Sequence, residues 1–454
     1  MPGMNGHSEA AAFPQLVRTD EGLVSARIFT EPEIYRLEQE RLFSTCWLFV
    51  AHESEIPNPG DFVTRSMGED PVIVSRDAQG KVHVLLNVCR HRGRRLCAEE
   101  AGSASHFRCG YHGWTYSNAG QLTGVPFLDA YQGILDRGQL GLCEAAGVET
   151  FHGLIFACWR PSQSLREYLG QMTWALDLFF GRTDAVEVVG PPQRWIINAN
   201  WKFGTANFSG DGTHIFTTHG FSTQLGLHSL QPRGSTGLPL GYAVTFGNGH
   251  CASFSSQPSG EAEAPFCALP REVWPELERR LRPEQRQLLE RLVVAVGTVF
   301  PNFSFLETAG HTPEEWGGPQ RPMSFLTMRQ WQPKGPTKME ALTWLLMDRN
   351  APDEWKADSR QCYERVFGVA GTFEQDDVEN WVQGTTGLTG PKAQQLWLQY
   401  RMGLDTQPAD SWPGPGVAYG RPPYLDALER RFYQRWQEVM VGAETNAASP
   451  QPAG

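Results

Sequence analysis

Residues 89–116 read CRHRGRRLCAEEAGSASHFRCGYHGWTY and contain two short, similar segments. Each segment carries one cysteine and one histidine: Cys89 with His91, and Cys109 with His112. Seventeen residues separate His91 from Cys109, so the two pairs belong to two separate turns of the chain. Two thiolates and two imidazoles in tight pairs indicate a bound metal.

Two kinds of metal site use this ligand set, a structural zinc ion and a Rieske [2Fe-2S] cluster. Zinc sites usually pair like with like, as C-x2–4-C and H-x3–5-H, whereas each segment here is mixed. Mixed loops favour the cluster, because both cysteines can then hold one iron and both histidines the other. Gly93, Gly110 and Gly113 permit tight turns, and Trp114 is expected to shield the cluster. Cys97 is interpreted as a core residue.

A second set of metal-binding side chains lies in residues 200–220, NWKFGTANFSGDGTHIFTTHG. His214 and His219, on a helix or an irregular helical turn, could face one metal ion. A distant carboxylate would complete the 2-His-1-carboxylate triad of non-haem Fe(II) oxygenases. Residues 367–381, FGVAGTFEQDDVENW, offer an adjacent pair of aspartates that we place between two helices.

The sequence resembles the large (alpha) subunits of Rieske non-haem iron aromatic-ring-hydroxylating dioxygenases, the naphthalene and biphenyl dioxygenase family. The resemblance rests on the two segments above together with CRHRG at 89–93 and CGYHGWTY at 109–116. The likeness covers nearly the whole chain. It implies an α+β protein, with an all-β Rieske domain in the N-terminal half and a catalytic domain built on an antiparallel sheet surrounded by helices. We place the Rieske domain at residues 44–160 and the catalytic domain at 161–454, with residues 1–43 as a helical segment packed on the latter.

The resemblance assigns the metal ligands of the second site residue by residue. His214 and His219 match the histidine ligands, and Asp377 matches the carboxylate ligand, with Asp376 as the fallback. This chain departs from the family at Gly212 and Thr213, where relatives commonly carry bulkier residues, which affects the expected pocket and not the ligands.

The resemblance also assigns two catalytic residues beside the iron. Asp211 matches the acid that links an iron-ligating histidine to a Rieske histidine of a neighbouring subunit, and its alternative is a helix cap. A carboxylate between two imidazoles would orient both rings and couple the two centres. Asn207 matches an asparagine near an open coordination position of the iron, and its alternative is a core amide.

By the same match, a group of apolar residues lines the substrate cavity. They are Phe208, Ile215, Phe367 and Phe373, with Phe305 and Leu306 as weaker candidates. Such a lining suits a flat hydrocarbon held by packing. Since no matched position is an arginine, we expect a neutral, polycyclic aromatic substrate rather than phthalate or salicylate, although Arg94, Arg95 or other unmatched residues could reach in from elsewhere.

The resemblance implies an oxygenase that works with other proteins. Electrons from NAD(P)H pass through a reductase and a ferredoxin to the cluster, and dioxygen is added to the ring as a cis-dihydrodiol. The two centres of one chain are expected to lie too far apart, so electrons cross a subunit interface through His91 or His112, Asp211 and His214. We therefore expect a cyclic trimer, completed by a small beta subunit to α3β3. No G-x-G-x-x-G fingerprint occurs, consistent with a separate reductase.

Composition excludes several other classes of protein. A formal net charge of −11 argues against binding to nucleic acid or an anionic membrane. The nine cysteines are an odd number in a chain without an export signal, so a disulfide framework is not expected. No stretch approaches the ~18 apolar residues of a membrane span, and we expect a cytoplasmic protein.

Local patterns predict the main secondary structure. The expected helices are residues 27–43 with Thr30 as N-cap, 165–180, 271–292, 353–366 and 427–440, and the expected strands include 193–201 and 342–349. Residues 443–454 are expected to be frayed.

Three other functions remain open from the sequence. A Rieske monooxygenase, demethylase or salicylate-type hydroxylase would share every metal ligand. A Rieske electron carrier would lack the mononuclear iron, and a zinc-stabilised binding protein would lack the cluster.

Overall fold

The computed structural model describes residues 13–220, 240–256, 264–312, 321–420 and 425–442. The α-helices in these residues are α1 Pro32–Leu37, α2 Leu165–Leu169, α3 Thr173–Phe179, α4 Trp201–Gly210, α5 Trp274–Arg280, α6 Pro283–Glu290, α7 Asp353–Val366, α8 Thr372–Gly387 and α9 Ala427–Gly442. The strands are β1 Val17–Arg18, β2 Leu23–Ser25, β3 Leu48–His52, β4 Asp61–Met67, β5 Asp70–Arg76, β6 Val82–Leu86, β7 Ala101–Ser103, β8 His106–Arg108, β9 Thr115–Ser117, β10 Leu122–Gly124, β11 Gly147–Phe151, β12 Leu154–Cys158, β13 Val186–Val188, β14 Gln193–Ile197, β15 Leu240–Thr245, β16 Cys251–Ser256, β17 Leu292–Val299, β18 Phe303–His311, β19 Pro322–Pro333, β20 Met339–Asp348, β21 Trp397–Gln399 and β22 Val417–Gly420. The predicted α+β class is confirmed.

The first half of the chain forms small antiparallel sheets. One has the strand order β6-β5-β4-β7, a second β11-β12-β3 and a third β10-β9-β8. Twelve buried residues, among them Cys89, Cys109 and Trp114, form a hydrophobic cluster separate from the main core. The paired cysteines therefore belong to an all-β unit with its own small core.

The second half is built on one nine-stranded antiparallel sheet. Its order is β13-β20-β19-β18-β17-β16-β15-β22, and β14 also pairs with β20. Helices α4 and α9 pack against strands of this sheet, and α7 packs against β19. Because side chains alternate along each strand, the central strands β16 to β19 present one row of residues to α4 and another to the opposite layer.

Several helix predictions differ from the structure at specific breaks. The helix expected over 27–43 is α1 followed by a π-helical turn at Glu38–Leu42, and the Thr30 hydroxyl donates to the Leu388 carbonyl (3.1 Å) instead of capping it. The helix expected over 271–292 is split into α5 and α6, because Pro283 holds the preceding residue Arg282 in an extended conformation (ψ 152°).

Two further predicted elements are divided or shortened in the structure, and three are confirmed. The helix over 165–180 is divided into α2 and α3 by a short 3-10 turn, and the strand over 193–201 ends at Ile197. The predicted helices over 353–366 and 427–440 and the strand over 342–349 are confirmed within three residues at each end. The tail at 443–454 lies outside the described residues, and the domain boundaries after 43 and 160 stay predictions.

A buried ion pair joins three distant parts of the chain. Glu38 accepts hydrogen bonds from the Lys202 ammonium (2.6 Å) and from the indoles of Trp201 (3.0 Å) and Trp436 (2.7 Å). Both charged side chains are fully buried. Glu38 thus connects the N-terminal segment to the start of α4 and to α9.

Replacing Glu38 by glutamine is expected to lower the free energy of unfolding by about 3–5 kcal/mol, because Lys202 would keep its buried charge without a counterion. Chemical denaturation followed by fluorescence measures this effect. The control is Glu33→Gln, which removes a solvent-exposed partner of Arg36 and should leave the denaturation midpoint unchanged. Equal midpoints for wild type and Glu38→Gln would contradict the assignment.

The longest described helices, α8 and α9, have 16 residues each. A helix needs about 20 predominantly apolar residues to span a bilayer, and both helices carry several charges. Within the described ranges, no helix is long and apolar enough to cross a membrane.

Candidate metal centres and active site

The two Cys-His segments form six-residue loops that are closed in the same way. The first is closed by a bridge between Val88 and Arg95, and the second by the pairing of Arg108 with Thr115 across β8 and β9. Each closing pair directly flanks its loop, so the two ligand-bearing turns have equal length. Arg95 is held here, far along the chain from the second metal site, where its Nε donates to the carbonyl of Cys97 (3.1 Å).

The hydrogen bonds inside the two loops repeat as well. The N–H of Cys89 and that of Cys109 each donate to the carbonyl five residues later (2.8 Å), and the N–H of Gly93 and that of Gly113 each donate back to the cysteine carbonyl (2.9 Å). Both glycines have positive φ, 73° and 75°, which side chains with a Cβ rarely adopt. The loops are structurally equivalent turns.

The side chains of the loops suit a Rieske cluster. The rings of His91 and His112 lie 4.5 Å apart, and Trp114 stacks on His91 at 4.9 Å with an interplanar angle of 10°. Cys89 and Cys109 are buried, and the buried Nδ1 of His91 has no hydrogen-bond partner among the described residues. An orphaned imidazole nitrogen and two buried thiols in these two loops fit a bound [2Fe-2S] cluster.

Tyr116 contributes a hydrogen bond to this site that the sequence analysis missed. Its buried hydroxyl lies 3.5 Å from Sγ of Cys89 and accepts from the N–H of Arg90 (3.0 Å). Burial, with the nearby Cys89 thiol, raises the pKa of Tyr116, so the hydroxyl keeps its proton. That proton can be donated to the cysteine sulfur.

Tyr116→Phe is expected to lower the reduction potential of the cluster, because a hydrogen bond to sulfur stabilises the more negative, reduced state. A difference of about 1 kcal/mol corresponds to roughly 40 mV for one electron. Redox titration of the visible spectrum measures the shift. Tyr131→Phe, whose ring contacts Trp114 (6.4 Å), is the control. An unchanged potential in Tyr116→Phe would refute this role.

Helix α4 carries the chain to the second site. The Asn200 side chain caps its start by accepting from the N–H of Lys202 (3.0 Å). It ends at Gly210 (φ 142°), where a Cβ would come within 2.3 Å of Leu428 in α9. A glycine is required at this close approach, and it turns Asp211 away from the helix axis.

Three side chains from two segments converge after this turn. Nε2 of His214 lies 3.4 Å from Oδ1 of Asp377, and Nε2 of His219 lies 3.2 Å from the same oxygen. One ligand atom from each residue lies within 4.8 Å of the other two. Two imidazoles and one carboxylate on one side of a site are the donor set of a non-haem Fe(II) centre with open positions.

Helix geometry separates the roles of the two adjacent aspartates. Phe373, Asp377 and Trp381 are spaced four residues apart on the buried face of α8. Asp376 lies about 100° around the helix, and its Oδ2 is 3.4 Å from Nδ1 of His219. Asp377 thus faces the candidate metal position, and Asp376 faces Nδ1 of His219, on the other side of that ring. The expectation that the pair lies between two helices is wrong, because α8 begins at Thr372.

Asp211 lies against the other histidine. Its Oδ1 is 3.3 Å from Nδ1 of His214 and accepts from the N–H of Thr213 (3.1 Å). Burial raises the pKa of Asp211, but the contacts with His214 outweigh it and the net shift is downward. Burial lowers the pKa of His214, yet Asp211 and Asp377 raise it to about 8. Metal binding therefore competes with protonation of His214.

One of the expected pocket residues, Phe373, lies against a candidate ligand, and two others, Phe367 and Phe208, lie further from the ligands. The ring of Phe373 is 4.4 Å from that of His219 and 5.3 Å from that of Phe367. Phe208 packs against Trp331, 5.3 Å away. These rings form an apolar wall next to the candidate metal ligands.

Phe305 is not part of this wall, because it lies on the other face of the sheet. It is paired with Met328 across β18 and β19, so both side chains project from the same face of the sheet. Trp331, which contacts Phe208, is three positions after Met328 and projects from the opposite face. Phe305 instead lies 5.1 Å from Phe179 of α3.

The remaining candidates occupy three different positions. Leu306 follows Phe305 on β18 and projects to the face that α4 covers. Ile215 is half-buried in the short turn between the two histidines. Asn207 lines a cleft of about 340 Å³ that also contains Asp211 and Asp377.

A buried ion pair borders the phenylalanine wall and was missed by the sequence analysis. Arg329 of β19 donates through Nη1 to Oε2 of Glu374 in α8, and both side chains are buried. The guanidinium carbon lies 4.5 Å from the ring centre of Phe208 and 5.4 Å from that of Phe367. None of the matched pocket positions is an arginine, so Arg329 reaches these rings from outside the matched set. The sequence feature that could have identified Arg329 is that it is the single charged residue in the strand PMSFLTMRQWQP.

Comparison with known families accounts for both halves of the chain. Residues 46–149 match the Rieske [2Fe-2S] domain, and residues 165–442 match the ring hydroxylating alpha subunit (catalytic domain).

Individual relatives cover nearly the full length. The chain is 41% identical to naphthalene 1,2-dioxygenase from Rhodococcus sp., solved with indole bound, with a TM-score of 0.87 and coverage of 94% of this chain and 95% of that one. It is 36% identical to the N,N-dimethyl phenylurea N-demethylase subunit alpha of Sphingobium sp. (92% and 91% coverage). It is 35% identical to the biphenyl 2,3-dioxygenase subunit alpha of Rhodococcus jostii (96% and 92% coverage).

A Rieske domain followed by a 2-His-1-carboxylate domain defines a Rieske-type non-haem iron oxygenase. The chain belongs to the ring-hydroxylating dioxygenase alpha-subunit family. The predicted family, enzyme class and cofactors are confirmed: a [2Fe-2S] cluster, a mononuclear iron and dioxygen as co-substrate. Curated relatives are named as alpha subunits, so the family works in multisubunit enzymes.

Proposed function

We propose that this alpha subunit is the terminal oxygenase that converts a neutral, polycyclic or biaryl hydrocarbon into a cis-dihydrodiol. The observation that best supports this substrate class is the wall of Phe208, Phe367 and Phe373 beside His219. Aromatic rings hold a flat hydrocarbon by packing and leave its orientation to shape.

Charge at the wall also favours a neutral substrate. Arg329 is the buried cation beside these rings, and Glu374 already accepts a hydrogen bond from it. A guanidinium paired in this way is a poor partner for a substrate carboxylate, because pairing with the substrate would leave Glu374 uncompensated. Arg94 and Arg95 belong to the Cys-His loop region. We therefore place phthalate-like and salicylate-like substrates second.

The residues of the two centres have distinct tasks. Cys89, His91, Cys109 and His112 would hold the cluster, which supplies single electrons. His214, His219 and Asp377 would hold the iron, which when bound activates dioxygen at its open positions. The phenylalanine rings bind the hydrocarbon, exclude water and orient the ring toward the three ligands.

Electron entry is proposed to require a second copy of the chain. Asp211 contacts His214 and lines the cleft of about 340 Å³, where an imidazole from another copy could approach its carboxylate. We propose that His91 or His112 of that copy binds there, within a cyclic trimer completed by beta subunits to α3β3. A ferredoxin and an NAD(P)H-dependent reductase would supply the electrons.

A second candidate function comes from one relative. The demethylase subunit alpha of Sphingobium sp., 36% identical to this chain, is named for removal of a methyl group, a reaction that inserts one oxygen atom. The ligand set serves either outcome, so the shape of the pocket must decide.

The test is product analysis with isotopically mixed dioxygen. The complete enzyme is supplied with reductase, ferredoxin, NADH and biphenyl under a mixture of ¹⁶O₂ and ¹⁸O₂. Dihydroxylation predicts a cis-dihydrodiol that contains two ¹⁶O or two ¹⁸O atoms and few mixed pairs. A monohydroxylated product from biphenyl, or demethylation of an N-methyl arene without diol formation, would contradict the proposal.

A further inference from the structure

The Arg329–Glu374 pair is more than a neutralised charge. Besides the bond to Glu374, Nη2 of Arg329 donates to the carbonyl of Phe367 (3.4 Å). Nε of Arg329 and Oε1 of Glu374 are buried without a hydrogen-bond partner among the described residues. The pair therefore keeps two polar atoms unsatisfied in the core, which carries an energetic cost.

Stability alone gives no reason to keep such a pair. Apolar residues of similar volume are often as stable as a buried ion pair, or more stable, because the charges need not be desolvated. A planar guanidinium does, however, fix directions: one face can lie on a ring while its edge binds a carboxylate. Arg329 has this arrangement with Phe208 and Glu374.

The contacts of the pair lead to the candidate iron ligands along two routes. On one route, Arg329 contacts Phe367, Phe367 contacts Phe373, and the ring of Phe373 lies 4.4 Å from His219. On the other, Glu374 lies in α8 one turn before the Asp377 ligand. Both routes start at the ion pair and end at residues that would hold the metal, and the first passes through rings expected to hold the substrate.

We propose that Arg329 and Glu374 are positioning residues that determine which pair of ring carbons is oxygenated. They fix the rings of Phe208 and Phe367 relative to the three ligands, and so select one orientation of a flat substrate. This inference rests on the proposed function. Neither residue need touch the substrate, and the expected signature is a changed product ratio with the metal centres intact.

The experiment compares two double variants with matched chemistry. Arg329→Met/Glu374→Leu removes the pair while keeping similar volume. Arg182→Met/Glu307→Leu removes another buried pair (Nη1 to Oε2 2.6 Å), in which Glu307 projects to the sheet face opposite α4. Arg329→Lys serves as a milder variant, because it keeps the charge and loses the planar group. Biphenyl is the substrate, since attack at carbons 2,3 and 3,4 gives distinguishable diols.

The ratio of the two diols is expected to change roughly fivefold in Arg329→Met/Glu374→Leu, equivalent to about 1 kcal/mol between the two orientations. Arg329→Lys should shift the ratio in the same direction by less, and the Arg182 and Glu307 control should keep the wild-type ratio. Iron content and the cluster spectrum should match the wild type in each variant.

An unchanged ratio in both Arg329 variants, or an equal change in the control, would overturn the inference. If the double variant does not fold, the ratio given by Arg329→Lys decides by the same criterion. Absence of any diol from the wild type would refute the proposed dihydroxylation itself, which distinguishes that failure from a failure of this inference alone.

Discussion

Asp377→Ala is expected to abolish dihydroxylation and to lower the iron content from about three to about two atoms per chain. The remaining histidines cannot replace the carboxylate, whose Oδ1 lies within 3.4 Å of both Nε2 atoms. The loss should exceed the roughly 10- to 100-fold effect typical of changes one step further from a metal. Iron analysis, product formation and the visible spectrum together check this, because the cluster should remain intact.

The matched control is the neighbouring residue. Asp376→Ala removes a carboxylate that faces Nδ1 of His219 rather than the metal. It should retain about three irons per chain and lose activity by roughly 10- to 100-fold at most. If Asp376→Ala lost the third iron while Asp377→Ala kept it, the assignment of the two aspartates would be reversed.

Asp211→Asn is expected to slow electron delivery to the iron by roughly 10- to 100-fold or more while both metal centres stay occupied. The substitution keeps the shape of the side chain but removes the charge that faces Nδ1 of His214. The effect should be seen in a single turnover, as slower reoxidation of the prereduced cluster on addition of oxygen and substrate. Reduction of the cluster by ferredoxin should keep its wild-type rate.

A comparable carboxylate–histidine pair elsewhere provides the control for that experiment. Asp177 lies 2.7 Å from Nε2 of His152, far along the chain from either ligand set. Asp177→Asn should reoxidise its cluster at the wild-type rate. Wild-type kinetics in Asp211→Asn would exclude Asp211 from the electron route.

The Cys-His loops could be predicted from sequence because their geometry is local. Each loop spans six residues, and the glycine four positions after each cysteine already indicates the left-handed turn that Gly93 and Gly113 adopt. The bond from Tyr116 to Cys89 was not foreseen, since it depends on how β9 crosses the first loop.

In the catalytic site, side-chain directions could be predicted only where the helical repeat determines which residues lie on the buried face. The spacing of Phe373, Asp377 and Trp381 marks the buried face of α8, and applying this spacing to the sequence would have favoured Asp377 over Asp376. The sequence cannot show the register of β18 against β19. That register places Phe305 on the sheet face opposite Arg329, and Arg329 contacts Phe208, about 120 positions earlier in the chain.

Family membership fixes the chemistry of the centres more firmly than the substrate. Relatives of similar identity are named for biphenyl, for benzene and for a dimethyl phenylurea. Because all these relatives would need the same metal ligands, the ligands cannot account for the different substrates. The distinguishing features must lie in the pocket wall, which is why Phe208, Phe367 and the Arg329–Glu374 pair are the sites at which specificity should change.

The most direct test of a two-centre oxygenase is the iron and acid-labile sulfide content of the wild-type protein, purified without oxygen and fully loaded with iron. One Rieske cluster and one mononuclear site predict about three irons and about two sulfides per chain, with a brown [2Fe-2S] spectrum. About two irons and about two sulfides under the same loading would contradict a mononuclear iron centre and would indicate an electron carrier.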